Sequence, residues 1–118
     1  TKFLAKESFI ISEIIREKII RFLGEELPHE TYVQLQKLED KENIINIDAE
    51  IIVARESQKG IVVGKNGAKL KKIGEKARID LEKFFNKKVF LKTWVKTKKN
   101  WNNDSDFISS LGIGSLYD

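Results

Sequence analysis

Apolar positions recur at helical spacing near the start of the chain. Ile11, Ile14, Ile15, Ile19, Phe22 and Leu23 fall three, four and one apart and define one face of a helix over 8–23. Gly24 then serves as a C-terminal cap, with Pro28 as a stop a few residues on. Glu17 and Arg21, four apart on the polar side, can pair, and the helix reads as scaffold. From Thr31 to Leu38 the alternation is loose, with Val33 and Leu35 on one side and Tyr32, Gln34 and Gln36 on the other. Ile44–Ala54 alternates more clearly: Ile45, Ile47, Ala49, Ile51 and Val53 share a face, and Asn46, Asp48 and Glu50 share the other. The polar linker Glu39–Asn43 suits a hairpin loop, so the two strands are expected to pair antiparallel. Ile44 and Ile52 sit on the mostly polar face, where they are expected to meet the ends of other elements.

After Arg55 the period changes. Ser57–Val63 fits a short helix with Ser57 as its N-cap. Gly64-Lys65-Asn66-Gly67 follows, and then Ala68–Phe85 places Leu70, Ile73, Ala77, Leu81, Phe84 and Phe85 on a helical stripe. Lys69, Lys72, Lys76 and Lys83 lie off that stripe. Gly74 inside the helix costs about 1 kcal/mol against alanine, which close packing would explain. A polar loop at Asn86–Lys88 leads to a strand over Val89–Thr97, with Val89, Leu91 and Val95 inward and Lys92, Trp94 and Lys96 outward. Asp104–Leu111 fits a small helix before a Gly-containing tail. The order predicts an α+β domain: a three-stranded mixed sheet with helices packed on one face.

Length and composition fit a single globular domain: 118 residues, 41% hydrophobic and 34% charged. No apolar run approaches the ~20 residues that span a bilayer, and the charged N-terminal stretch has no signal-peptide pattern. With no cysteine, disulfides and thiolate metal sites are excluded, and one histidine argues against a His-based site. No metal, cofactor or catalytic residue is therefore expected, and a cytoplasmic location fits. The lack of methionine and the start at Thr1 fit a piece of a longer chain, or removal of the initiator before threonine. Charge changes the picture more. Residues 1–54 hold 7 basic and 11 acidic side chains, residues 55–99 hold 15 and 4, and residues 100–118 hold 3 acids and no Lys or Arg. A solvated helix face can carry lysines with no partner at all, but this segregation by sign favours a polyanion.

The glycine pair supplies the chemistry. Gly64 and Gly67 bracket Lys65-Asn66, and glycine lets a backbone approach a ligand without Cβ interference and adopt φ > 0. A helix starting at Ala68 would face its unpaired N–H groups and positive dipole end toward a phosphate. This is how a GxxG loop clamps a nucleic-acid backbone. Three other readings compete. Asn-Gly is a favoured hairpin turn, but helical spacing follows it. A nucleotide phosphate loop needs four residues between its glycines and a Ser or Thr after its lysine. Here Gly60 and Gly64 are one residue too close, and Asn66 follows Lys65. A DNA-reading helix-turn-helix fits less well between two strands.

The chain resembles a K-homology (KH) domain of the prokaryotic type (type II), which has its extra helix and strand N-terminal. More closely, it is similar to the C-terminal KH domain of the bacterial Era GTPase family. The residues that carry this are Ser12-Glu13-Ile14-Ile15-Arg16-Glu17-Lys18, Phe22-Leu23-Gly24-Glu25-Glu26-Leu27-Pro28, Gln58 through Gly74, and Ala77-Arg78. Leu91-Lys92-Thr93-Trp94-Val95-Lys96, Trp101 and Ser110-Leu111-Gly112 resemble that family's ending. The resemblance implies a monomeric RNA-binding module that takes the 3′ end of 16S rRNA during assembly of the small ribosomal subunit. It implies as partner its own GTPase domain, whose P-loop, switch and guanine-reading motifs this chain lacks. It also implies peripheral association with the inner face of the cell membrane, for which no amphipathic anchor is visible.

In this reading Gly64 and Gly67 admit the RNA backbone, and the N–H groups of Lys65, Asn66, Gly67 and Ala68 point at phosphates. Lys65, Lys69 and Lys72 add charge, and Ile61, Val62 and Ile73 line a groove for about four nucleotides. Val62 and Ile73 equally suit a core. Trp94 and Trp101 could stack on bases, although structural packing suits Trp94 better, and His29 reads as a turn residue. A protein-interaction module using the acidic first half, or a KH domain with another RNA target, remains the alternative.

Overall fold

A computed structural model describes residues 2–99, with side chains from residue 6 onward. The expected helix at 104–111, Trp101 and the Ser110-Leu111-Gly112 motif lie outside the described residues. The elements in chain order are α1 (Lys2–Leu23), β1 (Tyr32–Asp40), β2 (Ile44–Val53), α2 (Glu56–Val63), α3 (Ala68–Phe85) and β3 (Lys88–Thr97). The sheet order is β1-β2-β3, with β1 antiparallel and β3 parallel to β2. This is the expected α+β architecture with a three-stranded mixed sheet. The parallel pair requires a crossover, and α2 and α3 form it.

The core follows the apolar pattern. Ile11, Ile15, Ile19 and Leu23 of α1 are buried with the inward row of β2 (Ile45, Ile47, Ala49, Ile51, Val53), with Ile73, Ala77 and Leu81 of α3, and with Val89 and Val95 of β3. The loose alternation of β1 has a structural cause. The register slips between Leu35 and Lys37, so a bulge returns Leu38 to the inward side opposite Ile47. α1 begins six residues before the expected Ser8, because residues 2–7 contain no Gly or Pro to stop a helix that the apolar face has started. Its end is as expected: Gly24 takes φ +54° and opens a single 3₁₀ turn.

Two expectations are corrected. Ser57 is not the N-cap of α2; extended Arg55 is. The Arg55 carbonyl accepts from the N–H groups of Gln58 and Lys59, and Gln58 Oε1 accepts from those of Ala54 and Arg55, both at 3.0 Å. A glutamine reaching back in this way caps the helix whatever side chain precedes it. Phe84 leaves the apolar stripe and is 52% exposed, because Phe85, four residues after Leu81, continues that stripe instead. Ile52 is fully buried although it falls on the outward row of β2.

One buried charge fastens α1 to α3. Lys18 is 4% exposed, and its ammonium meets Asp80 at 2.5 Å and Glu17 at 2.8 Å. Both carboxylates are substantially exposed, so the covered lysine is paired with partners that keep their contact with solvent. The hydrogen bond to Asp80, then that to Glu17, raises the Lys18 pKa above its ordinary value, and the same Lys18 bond lowers that of Asp80.

Candidate nucleic-acid interface

The glycine loop holds three positions, Gly64, Asn66 and Gly67, whose backbone few residues tolerate. The Gly64 N–H closes α2 onto Gly60 O at 2.9 Å, and Gly64 itself takes φ 76°, ψ 176°, a region reserved to glycine. Asn66 (φ 56°) and Gly67 (φ 76°) are both left-handed, and asparagine is among the few side chains that accept this. The two glycines differ in their surroundings. A Cβ on Gly64 would lie 2.6 Å from Lys69 Cγ and 2.8 Å from Lys69 Cβ, whereas one on Gly67 would meet nothing within 4 Å. Gly64 is thus required by the fold, and Gly67 leaves open space over the start of α3.

The loop offers fewer free donors than expected. Gly67 N–H donates to Gly64 O at 3.2 Å, and Ala68 N–H to Lys65 O. Among the loop amides, those of Lys65 and Asn66 are left for a ligand. Lys65 and Asn66 are exposed at the tip. Lys69 Nζ instead donates to Phe22 O, 3.2 Å away at the C-terminal end of α1, and Lys72 Nζ lies 4.9 Å above the Phe22 ring. A helix C-terminus attracts cations, so Lys69 is a strut between loop and α1 as well as an exposed charge.

Beside the loop, α3 and β3 enclose an open groove of about 370 Å³, lined by Gly67, Leu70, Lys71, Gly74, Arg78, Leu91 and Thr93, with Glu75 as its acid. β3 is the last strand of the sheet, so one of its backbone edges has no strand partner among the described residues. Gly74 faces Thr93, and a Cβ there would come 3.7 Å from Thr93 Oγ1. Arg78 is held at 2.9 Å by Glu82, whose other oxygen accepts from Val89 N–H at 3.0 Å. Of the apolar residues expected to line the groove, Val62 and Ile73 are wholly buried and cannot; they belong to the core. Ile61 is 36% exposed on α2 and does not reach this groove. The missed residues carried a signal in the sequence. Leu70, Lys71, Gly74 and Arg78 fall three, four, seven and eleven positions after Gly67, which is one face of a helix.

This loop between two helices, joining parallel strands and opening beside an edge strand, is the KH arrangement. Residues 26–102 match the model of the KH domain family, and the chain belongs to that family. Among curated relatives, GTPase Era of Thermoanaerobacter sp. (strain X514) is 50% identical over 108 residues, covering 90% of this chain and 36% of the relative. GTPase Era of Coxiella burnetii (strain Dugway 5J108-111) is 49% identical over 107 residues, covering 91% and 36%. Two crystal structures superimpose with a TM-score of 0.81 at 34% identity, over 89% of this chain and 36% of theirs. One is an Aquifex aeolicus Era variant bound to GDP and AlF4−; the other is Era in complex with MgGDPNP and nucleotides 1506–1542 of 16S ribosomal RNA. The chain thus spans about a third of the length of these relatives.

Proposed function

We propose that this chain is the single-stranded RNA-binding part of an Era-type GTPase and that it takes the 3′-terminal region of small-subunit rRNA. The observation that supports this most directly is the groove between α3 and β3, floored at Gly74 and opening onto the exposed Lys65-Asn66 tip. The similarity to an Era bound to nucleotides 1506–1542 of 16S rRNA supplies the target. A phosphate sits at the tip against the Lys65 and Asn66 amides and the Lys65 ammonium. Bases descend between Leu70 and Leu91, with Lys71 and Arg78 at the rim. A KH groove holds about four nucleotides, so an RNA as long as that segment extends well beyond it.

The chain itself binds and does not catalyse; GTP hydrolysis belongs to the part of the relatives that it does not span. A role in small-subunit assembly and a place in the cytoplasm, with peripheral contact at the membrane, rest on the family resemblance. No helix among the described residues is long and apolar enough to cross a membrane.

The test is binding of a short RNA carrying the 3′-terminal 16S sequence, against a scrambled RNA and a DNA duplex, across a salt series. Three or four neutralised phosphates give a log–log slope of about −2 to −3. Replacing Lys65 and Asn66 together by Asp keeps the fold, since Asp tolerates the left-handed position and acids suit a helix N-terminus. The same change places two negative charges at the phosphate and abolishes binding. Unfolding of the double variant, or undiminished binding by it, refutes the clamp. A salt-insensitive partner would point to protein interaction instead.

A further inference from the structure

β3 carries a second pattern that the groove does not use. While Val89, Leu91 and Val95 turn toward the helices, Lys88, Phe90, Lys92, Trp94 and Lys96 form one row on the opposite face of the sheet. Same-face neighbours on a strand stand about 7 Å apart. Phe90 is 59% exposed, and the three lysines are exposed. None of these lysines forms an ion pair among the described residues, although Asp48 lies opposite Lys92 in the register. Trp94 is half-buried; its indole N–H donates to Glu50 at 2.8 Å, and Lys92 Nζ stands 5.9 Å from its ring.

We infer that this row is a second single-stranded RNA contact, reached from the groove over the free edge of β3. The inference rests on the RNA reading above: a strand longer than the groove can leave it over β3, whose free edge separates the groove from this row. Leu91 and Thr93 of β3 line the groove from the inner face, and the next residues along the same strand point to the outer one. Aromatic rings on a sheet give bases a stacking platform that does not depend on sequence, and interleaved cations follow the backbone. Here Phe90 is the open platform. Trp94, fixed by Glu50, presents its ring two same-face positions further on, and Lys88, Lys92 and Lys96 alternate with the two rings for phosphates. A protein partner fits less well, because lysine is depleted at the centre of protein interfaces and every second outward residue of β3 is a lysine.

The test compares two RNAs on the full 118-residue chain, one of about five nucleotides that fills the groove alone and one of about twelve that overruns it. Phe90→Ala is expected to leave the short RNA within twofold of the parent and to weaken the long one roughly five- to a hundredfold, the range for one lost base stack. Phe90→Tyr restores it. Replacing Lys88, Lys92 and Lys96 by Gln reduces the steepness of the salt slope for the long RNA by about 2 and leaves that of the short RNA unchanged. Equal binding of long RNA by Phe90→Ala and parent overturns the inference, as does an equal loss on both RNAs. The groove reading fails separately, if the Lys65/Asn66 double variant binds the short RNA as the parent does.

Discussion

From Ala77 onward α3 is fastened on several sides, whereas its first turn and the loop before it leave much of their polar surface unspent. In the second half, Ala77 and Leu81 are fully buried, Asp80 meets Lys18 of α1, and Glu82 binds both Arg78 and the Val89 N–H at the start of β3. At the other end, Gly64, Asn66 and Gly67 hold positive φ, Lys65 and Asn66 are exposed at the tip, and Gly74 withholds a side chain from the groove. A single helix therefore anchors chiefly by one end and turns the other toward the groove, with Arg78 belonging to both. Strain at the loop persists because the anchored end and α1 over-determine it. Lys69 is where the two regions meet, with its stem packed against Gly64 and its ammonium on the last turn of α1.

The sharpest way to break this contrast is to exchange its two loop glycines one at a time. Gly64→Ala puts a methyl into both a glycine-only conformation and the Lys69 stem, whose Cβ cannot swing away. A loss of roughly 2–3 kcal/mol is expected, read as a lower urea midpoint with unchanged slope. Gly67→Ala meets no atom and bears only the left-handed penalty, about 1 kcal/mol. Its larger effect falls on RNA affinity, because the methyl stands where the backbone of the ligand approaches. Equal stability losses at the two positions would mean that the loop is not held by Lys69.

The sequence made the anchored region legible and the binding region only half so. The alternation in β2 and the stripe from Leu70 to Phe85 define most of the core, since burial repeats with the period of the element. The β1 bulge was hidden because one unpaired residue disguises two correct half-patterns as a poor one. At the site, the glycine spacing locates the loop, but periodicity cannot distinguish Val62 and Ile73 as core from residues lining a groove. Apolar residues serve both places, and only the position of β3 decides. Gly74 looked like a helix defect; it becomes a groove floor once Thr93 is seen beneath it. That Lys69 turns toward Phe22 depends on a contact 47 residues away in the chain, which no local pattern encodes.

The anchored end makes a pH prediction of intermediate size. Lys18 holds the Asp80 pKa below its ordinary 3.8, and Asp80, with Glu17, holds that of Lys18 above its ordinary 10.5. The stabilisation from a lowered carboxylate is complete above the unfolded pKa and is lost as pH falls through the folded value, below about 3.8. That from a raised amine is complete below 10.5 and is lost as pH rises beyond it. Asp80→Asn should thus reduce stability between these limits and flatten both flanks of the curve. Because the Asp80 side chain is 42% exposed, screening reduces the loss to about 1 kcal/mol. RNA affinity should not change, since neither member of the pair lines the groove. A coupled loss of affinity would show that the two ends of α3 do not act separately.

The smallest effect separates the two roles of α3 most cleanly, because its sign differs between them. Gly74→Ala adds a helix-favouring residue where the new Cβ comes only to ordinary contact distance, 3.7 Å from Thr93 Oγ1. Stability should rise by about 0.5–1 kcal/mol, as glycine replaced by alanine inside a helix predicts. The same methyl enters the groove between α3 and β3, where a base must lie against Thr93 and Leu91, so affinity for a short RNA should fall while the thermal midpoint climbs. A variant gaining in both would show that the bases do not descend as far as Gly74. One losing in both would show that Thr93 cannot give way, and that this glycine serves packing rather than binding.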